Sequence, residues 1–282
     1  MDIKASDVKA LREKTGAGMM ECKNALVACD GDFAKAAKLL KEKGLAAIEK
    51  RADRATNEGK VFVKVQDNKA VLVEIASETD FVARNPEFVK LGAAIVDKIF
   101  AKGYTELNDD ISGMVTDLAT KIRENMSLKR IMVVNGSDND CLSSYIHGDG
   151  NIGVVVKLAC DKAEAAKDEK VKGFAFDLAL HIAAFNPMAL DRSKIDNAHL
   201  VEQEEIFRKQ MEIDEKMRGK PASIIDNILK GKVNKYLSEI CLVDQGFVKD
   251  EKLSVAKALE ELGKQVAAKI SISDYVYFRV GQ

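Results

Sequence analysis

Histidine and cysteine are the side chains of this sequence best suited to metal binding or nucleophilic chemistry. The three histidines, His147, His181 and His199, lie on three different predicted elements. None has a cysteine or carboxylate at the spacing of a zinc site, and the HExxH and GxSxG patterns are absent from the sequence. We expect His181, on an apolar helix, in the core or at its boundary. His147, at a predicted turn, is an ordinary turn residue or a surface contact.

The cysteines are odd in number and scattered, without CxxC spacing, so we expect no disulfide framework and a reducing compartment. They are Cys22, Cys29, Cys141, Cys160 and Cys241. The amino-terminal residues 1–4 lack the apolar segment of a signal peptide, and no run approaches the 18 apolar residues of a membrane span. The sequence therefore predicts a cytoplasmic protein without a metal or cofactor of its own.

The glycines Gly16 and Gly18 are the nearest approach to a phosphate-binding loop. A dinucleotide loop follows a strand, and a P-loop needs two glycines separated by four residues and followed by Lys and Ser or Thr. Neither context is present. We therefore interpret the two glycines as a turn between helices.

The stretch Ser77–Pro86 joins a predicted strand, Ala70–Ala76, to a helix capped by Asn85. Such connections are normally polar, yet this one places Phe81 and Val82 beside Asp80. The pattern alone favours Phe81 folding inward as a plug under the helix. The alternative is an apolar finger, with an acidic neighbour, that is presented to a partner.

The elements that position these residues begin with three short predicted helices in residues 1–44. Asp32 is the expected cap of the third, which Gly44 should end, with a helical extension running into a linker. We assign residues 1–54 to this amino-terminal module and its linker.

Two similar hairpins follow, each preceding a helix. The first spans Val61–Ala76 and the second Ser143–Ala159. Ile111, Met114, Leu118, Ile122 and Met126 are expected on one amphipathic helix between the hairpins. The repeat predicts a duplicated α+β core, with one subdomain at residues 55–139 and a second at residues 140–282.

Residues 197–237 show two amphipathic helical patterns separated by a break at Met217–Pro221. This arrangement predicts an antiparallel helical hairpin inserted in the second subdomain. The chain then closes with a helix and an alternating strand, Ile272–Val280.

Composition restricts the function. Apolar residues make up 46% of the 282-residue chain, which is enough for a substantial core, and the net charge is −1. Because neither sign of charge dominates, we expect neither general nucleic-acid binding nor membrane binding.

Two stretches resemble one family. Residues 11–26, LREKTGAGMMECKNAL, resemble the amino-terminal signature of the translation elongation factor Ts family, and residues 79–85, TDFVARN, resemble its second signature. The duplicated core and the helical hairpin are also similar to the layout of that family, so the resemblance covers nearly the whole chain.

The resemblance implies a guanine-nucleotide exchange factor for elongation factor Tu, in its GDP-bound and nucleotide-free states, without covalent chemistry. The amino-terminal module would be a ubiquitin-associated-like domain that docks on the GTPase domain of Tu. The residues implied to displace the Mg²⁺ of Tu are Thr79, Asp80, Phe81 and Val82. Further contacts with Tu are implied for Leu11, Arg12, Gly18, Met19, Met20, Ile146, His147 and Gly148. The oligomeric state stays open: the alternatives are a homodimer and an assembly of two Tu and two Ts chains, formed through the hairpin or the core.

The alternative function is an adaptor whose three-helix module binds peptides or ubiquitin-like partners, with the core as a scaffold. An enzyme ranks third, because the sequence offers no catalytic constellation.

Overall fold

The fold was obtained as a computed structural model that describes residues 3–214, 217 and 220–282. Helices and paired antiparallel strands occupy separate segments along the chain, so the α+β class expected from the sequence is confirmed. No helix within the described residues is long and apolar enough to cross a membrane.

The first three helices are α1 (Ala5–Thr15), α2 (Met19–Ala28) and α3 (Phe33–Glu49), and they share a small apolar cluster. Asp32 caps α3 as predicted, by accepting a hydrogen bond from the Lys35 N–H at 2.9 Å. The expected helix end at Gly44 is wrong. A Cβ at this glycine would overlap the side chain of Thr120, so Gly44 allows two helices to approach closely.

The first sheet has the strand order β1 (Glu58–Gln66), β2 (Lys69–Ser77), β3 (Met126–Asn135). Helices α4 (Asp80–Ala83), α5 (Pro86–Lys102) and α6 (Asp109–Ile122) lie between β2 and β3 in the chain. The predicted hairpin is present. Met126, however, begins β3 instead of continuing α6, because Arg123 adopts a left-handed conformation (φ 68°) that ends the helix.

The second sheet repeats this arrangement with the order β4 (Asp140–His147), β5 (Ile152–Cys160), β8 (Ile270–Arg279). Its apolar cluster includes residues from α7 (Ala163–Ala166), α8 (Glu169–Phe185) and α11 (Val255–Gln265). Strands β6 (Gly246–Phe247) and β7 (Asp250–Ser254) form a small separate ladder. His181 on α8 is fully buried, as expected, and its Nε2 lies 2.9 Å from Gln245 Oε1.

The two sheets share an apolar layer that includes Val61 and Leu72 from the first and Val155 and Phe278 from the second. Gly153 belongs to this contact, since a Cβ there would lie 2.5 Å from Val61 Cγ1. The sheets therefore form one continuous packing unit.

Helices α9 (Asn197–Ile213) and α10 (Ala222–Ile240) follow α8 and pack antiparallel. The His199 imidazole and the Tyr236 hydroxyl lie 2.7 Å apart near one end, and Arg208 faces Asp226 further along. Of the predicted break, Arg218 and Gly219 lie outside the described residues.

Candidate partner-binding surface

The finger, residues 79–82, is a capped helical turn at the end of β2. Thr79 caps α4, where its hydroxyl accepts a hydrogen bond from the Val82 N–H at 3.4 Å and lies 3.0 Å from the Glu124 carboxylate. The Phe81 side chain is 82% exposed, whereas Val82 is 5% exposed and belongs to the apolar cluster of the first sheet. The inward plug favoured by the sequence pattern is therefore wrong. Successive helical positions point about 100° apart, so burying Val82 turns Phe81 outward.

A second set of contacts, which sequence reasoning missed, anchors the finger from the preceding residue. The Glu78 carboxylate accepts a hydrogen bond from the Asn125 N–H at 2.6 Å and pairs with Arg54 at 3.2 Å. The Asn125 side chain in turn donates to the carbonyls of Ala52 (3.2 Å) and Arg54 (2.8 Å). The Asn125 N–H, followed by the Arg54 guanidinium, lowers the pKa of Glu78, so this carboxylate is held ionised.

Arg84 connects the finger to the second sheet. Its guanidinium lies 3.6 Å from Asp80 and 3.7 Å from Asp149, which belongs to the turn between β4 and β5. Exposed ion pairs contribute little stability. The geometry nevertheless shows that the finger and the turn that carries Gly148 are neighbours on one side of the molecule.

At the end of β4, Ile146 and His147 are both exposed but lie on opposite faces of the strand. The His147 Nδ1 lies 3.3 Å from the Tyr145 hydroxyl, and the Tyr145 ring meets Phe176 of α8 edge-on at 5.8 Å. Gly148 follows in the left-handed region with a φ of 58°, which permits the tight turn.

The amino-terminal residues that are predicted to contact a partner divide into an exposed group and a group with a structural role. Arg12, Met19 and Met20 are exposed on α1 and α2. Leu11 is fully buried in the three-helix cluster, and Gly18 begins α2 by donating its N–H to Glu21 at 2.9 Å. Leu11 and Gly18 thus shape the segment that carries the exposed side chains.

The described residues contain no group of three or more His, Cys, Asp or Glu side chains that could hold a metal ion. All five cysteines are free thiols.

Comparison with known proteins gives the family. Residues 78–282 match the family model described as elongation factor TS. The chain belongs to the elongation factor Ts family. The matched region begins at Glu78, the residue that anchors the finger.

Curated relatives extend the similarity to the amino-terminal helices. The chain is 48% identical over 281 residues to the elongation factor Ts of Treponema denticola, an alignment that covers 100% of this chain and 99% of the relative. It is 42% identical over 282 residues to the elongation factor Ts of Borrelia recurrentis, with 100% of both chains covered. It is 40% identical over 292 residues to that of Treponema pallidum (strain Nichols), with 100% and 99% covered. The chain is accordingly an elongation factor of protein biosynthesis.

Proposed function

We propose that this chain is the guanine-nucleotide exchange factor for elongation factor Tu. It binds Tu-GDP, disturbs the Mg²⁺ and phosphate site, and promotes release of GDP without covalent chemistry of its own. The observation that carries the proposal is the 82% exposure of Phe81 on a turn that is anchored before this residue by Glu78 and Thr79 and after it by the buried Val82. A large apolar ring held away from its own core favours insertion into a partner.

The proposed mechanism depends on the coordination geometry that Mg²⁺ requires. Mg²⁺ binds few protein ligands and requires near-ideal octahedral geometry. The Phe81 ring, packed between helices of the GTPase domain, would shift those ligands and weaken the metal and the diphosphate together. By linkage, a factor that prefers nucleotide-free Tu must lower its nucleotide affinity by the same coupling free energy.

Phe81 alone is insufficient for this task. Burying one phenylalanine contributes about 1.5–3 kcal/mol, whereas moving a two-state equilibrium from 1:99 to 99:1 takes about 5.5 kcal/mol. We therefore propose two further contacts with Tu. One is the exposed set Arg12, Met19 and Met20, whose methionines adapt to an apolar groove, and the other is the strand end 146–148.

The organisation that serves this function is an amino-terminal module at residues 1–54, followed by core subdomains at residues 55–139 and 140–282. We propose that the module is ubiquitin-associated-like and that residues 197–237 are an inserted helical hairpin. Two observations support this division: α1–α3 have their own apolar cluster, and each sheet has its own cluster of covering helices. The proposed site of action is the cytoplasm.

The test is release of a fluorescent GDP analogue from Tu, followed by stopped flow with and without this protein. An exchange factor accelerates release in proportion to its concentration until it saturates. An adaptor would bind Tu, or fail to, and leave the release rate unchanged. The variant Ile213→Ala is a matched control, because Ile213 is 83% exposed and lies on α9, a different element from the finger.

A further inference from the structure

We propose that the cavity between the three-helix segment and α6 binds a compact polyanion made of linked phosphate groups. The cavity has a volume of about 640 Å³ and is lined by residues of α1, α2, α3 and α6. Small-ligand sites typically measure about 300–1,000 Å³, so this cavity is large enough for a specific ligand.

The charge of the lining favours an anion. Two acidic side chains, Glu21 and Asp117, line the cavity with six basic ones. The basic residues are Lys14, Lys41, Lys43, Arg51, Lys121 and Arg123.

Both acids are already paired within the lining, Glu21 with Arg123 and Asp117 with Lys41 at 3.1 Å. Among the described residues, no carboxylate lies within 4.0 Å of the charged nitrogens of Lys14, Lys43 or Arg51, although the Lys14 ammonium lies 5.2 Å from the centre of the Phe33 ring. The lining therefore keeps an excess of positive charge that its own acids do not balance.

The curvature and the charge of the lining together indicate which class of anion would bind. A concave wall of low dielectric focuses the field of the cations, and lysine is a common point-charge partner of phosphate. An anion with one charge would leave most of the excess unbalanced, whereas a chain of two or three phosphates matches it. Recognition here uses side chains, so it does not require the glycine-rich backbone loop that the sequence lacks.

The position of the cations gives binding a structural consequence. Lys14 and Lys43 belong to α1 and α3, whereas Lys121, which also pairs with Glu87 at 3.4 Å, belongs to α6 of the first sheet unit. A bound polyanion thus bridges the amino-terminal helices and the core. Because a ligand that binds only the folded state stabilises it by mass action, the melting temperature should rise with ligand concentration.

The experiment is calorimetric titration of the full chain with inorganic tripolyphosphate at low salt, with a thermal melt of each sample. We expect saturable binding of one equivalent that weakens as salt is added. In Lys43→Gln/Arg51→Gln, affinity should fall about tenfold or more, since two charges are removed beside the ligand.

The matched control is Lys38→Gln/Lys50→Gln, which removes the same charge from exposed positions on α3 and at its end that do not line the cavity. Its affinity should stay within about twofold of the unaltered chain, because an exposed charge away from the ligand is screened by solvent. Absence of saturable binding, or equal loss in both double variants, would overturn the proposal. A parallel titration with ATP identifies the source of the ligand: equal affinity indicates the phosphate chain alone, and tighter binding indicates a nucleotide.

Discussion

The carboxylate of Glu78 accepts a hydrogen bond from the backbone N–H of Asn125 at 2.6 Å, across 47 positions of sequence. This contact fixes the residue immediately before the finger to the turn between α6 and β3. Thr79 reaches the same turn through the Glu124 carboxylate. The base of the finger is therefore held by side chains, whereas Phe81 itself is left exposed.

Glu78→Gln tests this anchor through its pH dependence. The native pKa of Glu78 lies below its ordinary value of 4.5, so its contribution to stability is present above pH 4.5 and is lost as the pH falls through the lowered pKa. At neutral pH the substitution should cost about 1.5–3 kcal/mol, the range for a hydrogen bond to a charged group. Urea denaturation at several pH values measures the difference. A cost that stays constant down to acid pH would contradict the anchoring role of the ionised carboxylate.

Local signals in the sequence predict local structure here. The caps Asp32 and Asn85 lie where their residue types and spacing place them, and both hairpins are present. The orientation of Phe81 is different, because it depends on Glu78 and Thr79 finding partners at Glu124 and Asn125. A pattern read along the chain cannot show which distant residues will meet.

The boundary of α3 at Gly44 was also mispredicted, because it depends on a contact between distant residues. Glycine has a low helix propensity, so its position suggested a helix end. In the fold, α3 continues to Glu49 because Gly44 lies against Thr120 of α6, where a larger residue would not fit. Tertiary packing overrides propensity here, and the cavity proposed above lies along the same helix contact.

Removing residues 197–237 should leave the rest of the chain folded. None of these residues belongs to the four apolar clusters of the described chain. The ends of the segment lie close together, because the His199 Nε2 lies 2.7 Å from the Tyr236 hydroxyl. Outside the segment, the Met188 N–H donates to the Ile240 carbonyl at 2.9 Å. With a short Gly/Ser linker in place of residues 197–237, we expect a single cooperative thermal transition. Its loss would show that α9 and α10 are part of the core.

The pair Glu74–Arg130 should be essential for joining the two sheets. Glu74 is 2% exposed, lies 2.6 Å from Arg130 Nε and accepts from the Gly281 N–H at 3.1 Å. Arg130 also stacks over Phe278 and donates to the Arg279 carbonyl. Arg130→Met leaves a buried carboxylate without its cation, so we expect a loss of about 3 kcal/mol in urea denaturation.

The control for this pair is the double variant Glu74→Leu/Arg130→Met. Removing both charges also removes the unpaired carboxylate, so the double variant should be more stable than Arg130→Met alone. A double variant as unstable as the sum of the two single variants would show that the residues act independently.

Val82→Ala should affect the stability of this protein before it affects exchange. The side chain is 5% exposed in the cluster beneath α5, and its truncation removes buried methyl groups. We expect a cost of about 2 kcal/mol from the lost transfer free energy and the cavity left behind. Denaturant melts measure this cost. A Val82→Ala protein of unaltered stability would mean that the finger is not supported from below.

The most direct test of the proposed function is the rate of GDP release from Tu in the presence of Phe81→Ala. Because Phe81 is 82% exposed, the folding stability of the variant should stay within about 0.5 kcal/mol of the unaltered protein. Catalysed release, followed by stopped flow with a fluorescent GDP analogue, should fall by roughly one to two decades, the contribution of one buried ring. The control Ile213→Ala, of nearly equal exposure, should leave both readouts unchanged. A Phe81→Ala protein that promotes release at the unaltered rate would contradict the proposal that this ring drives exchange.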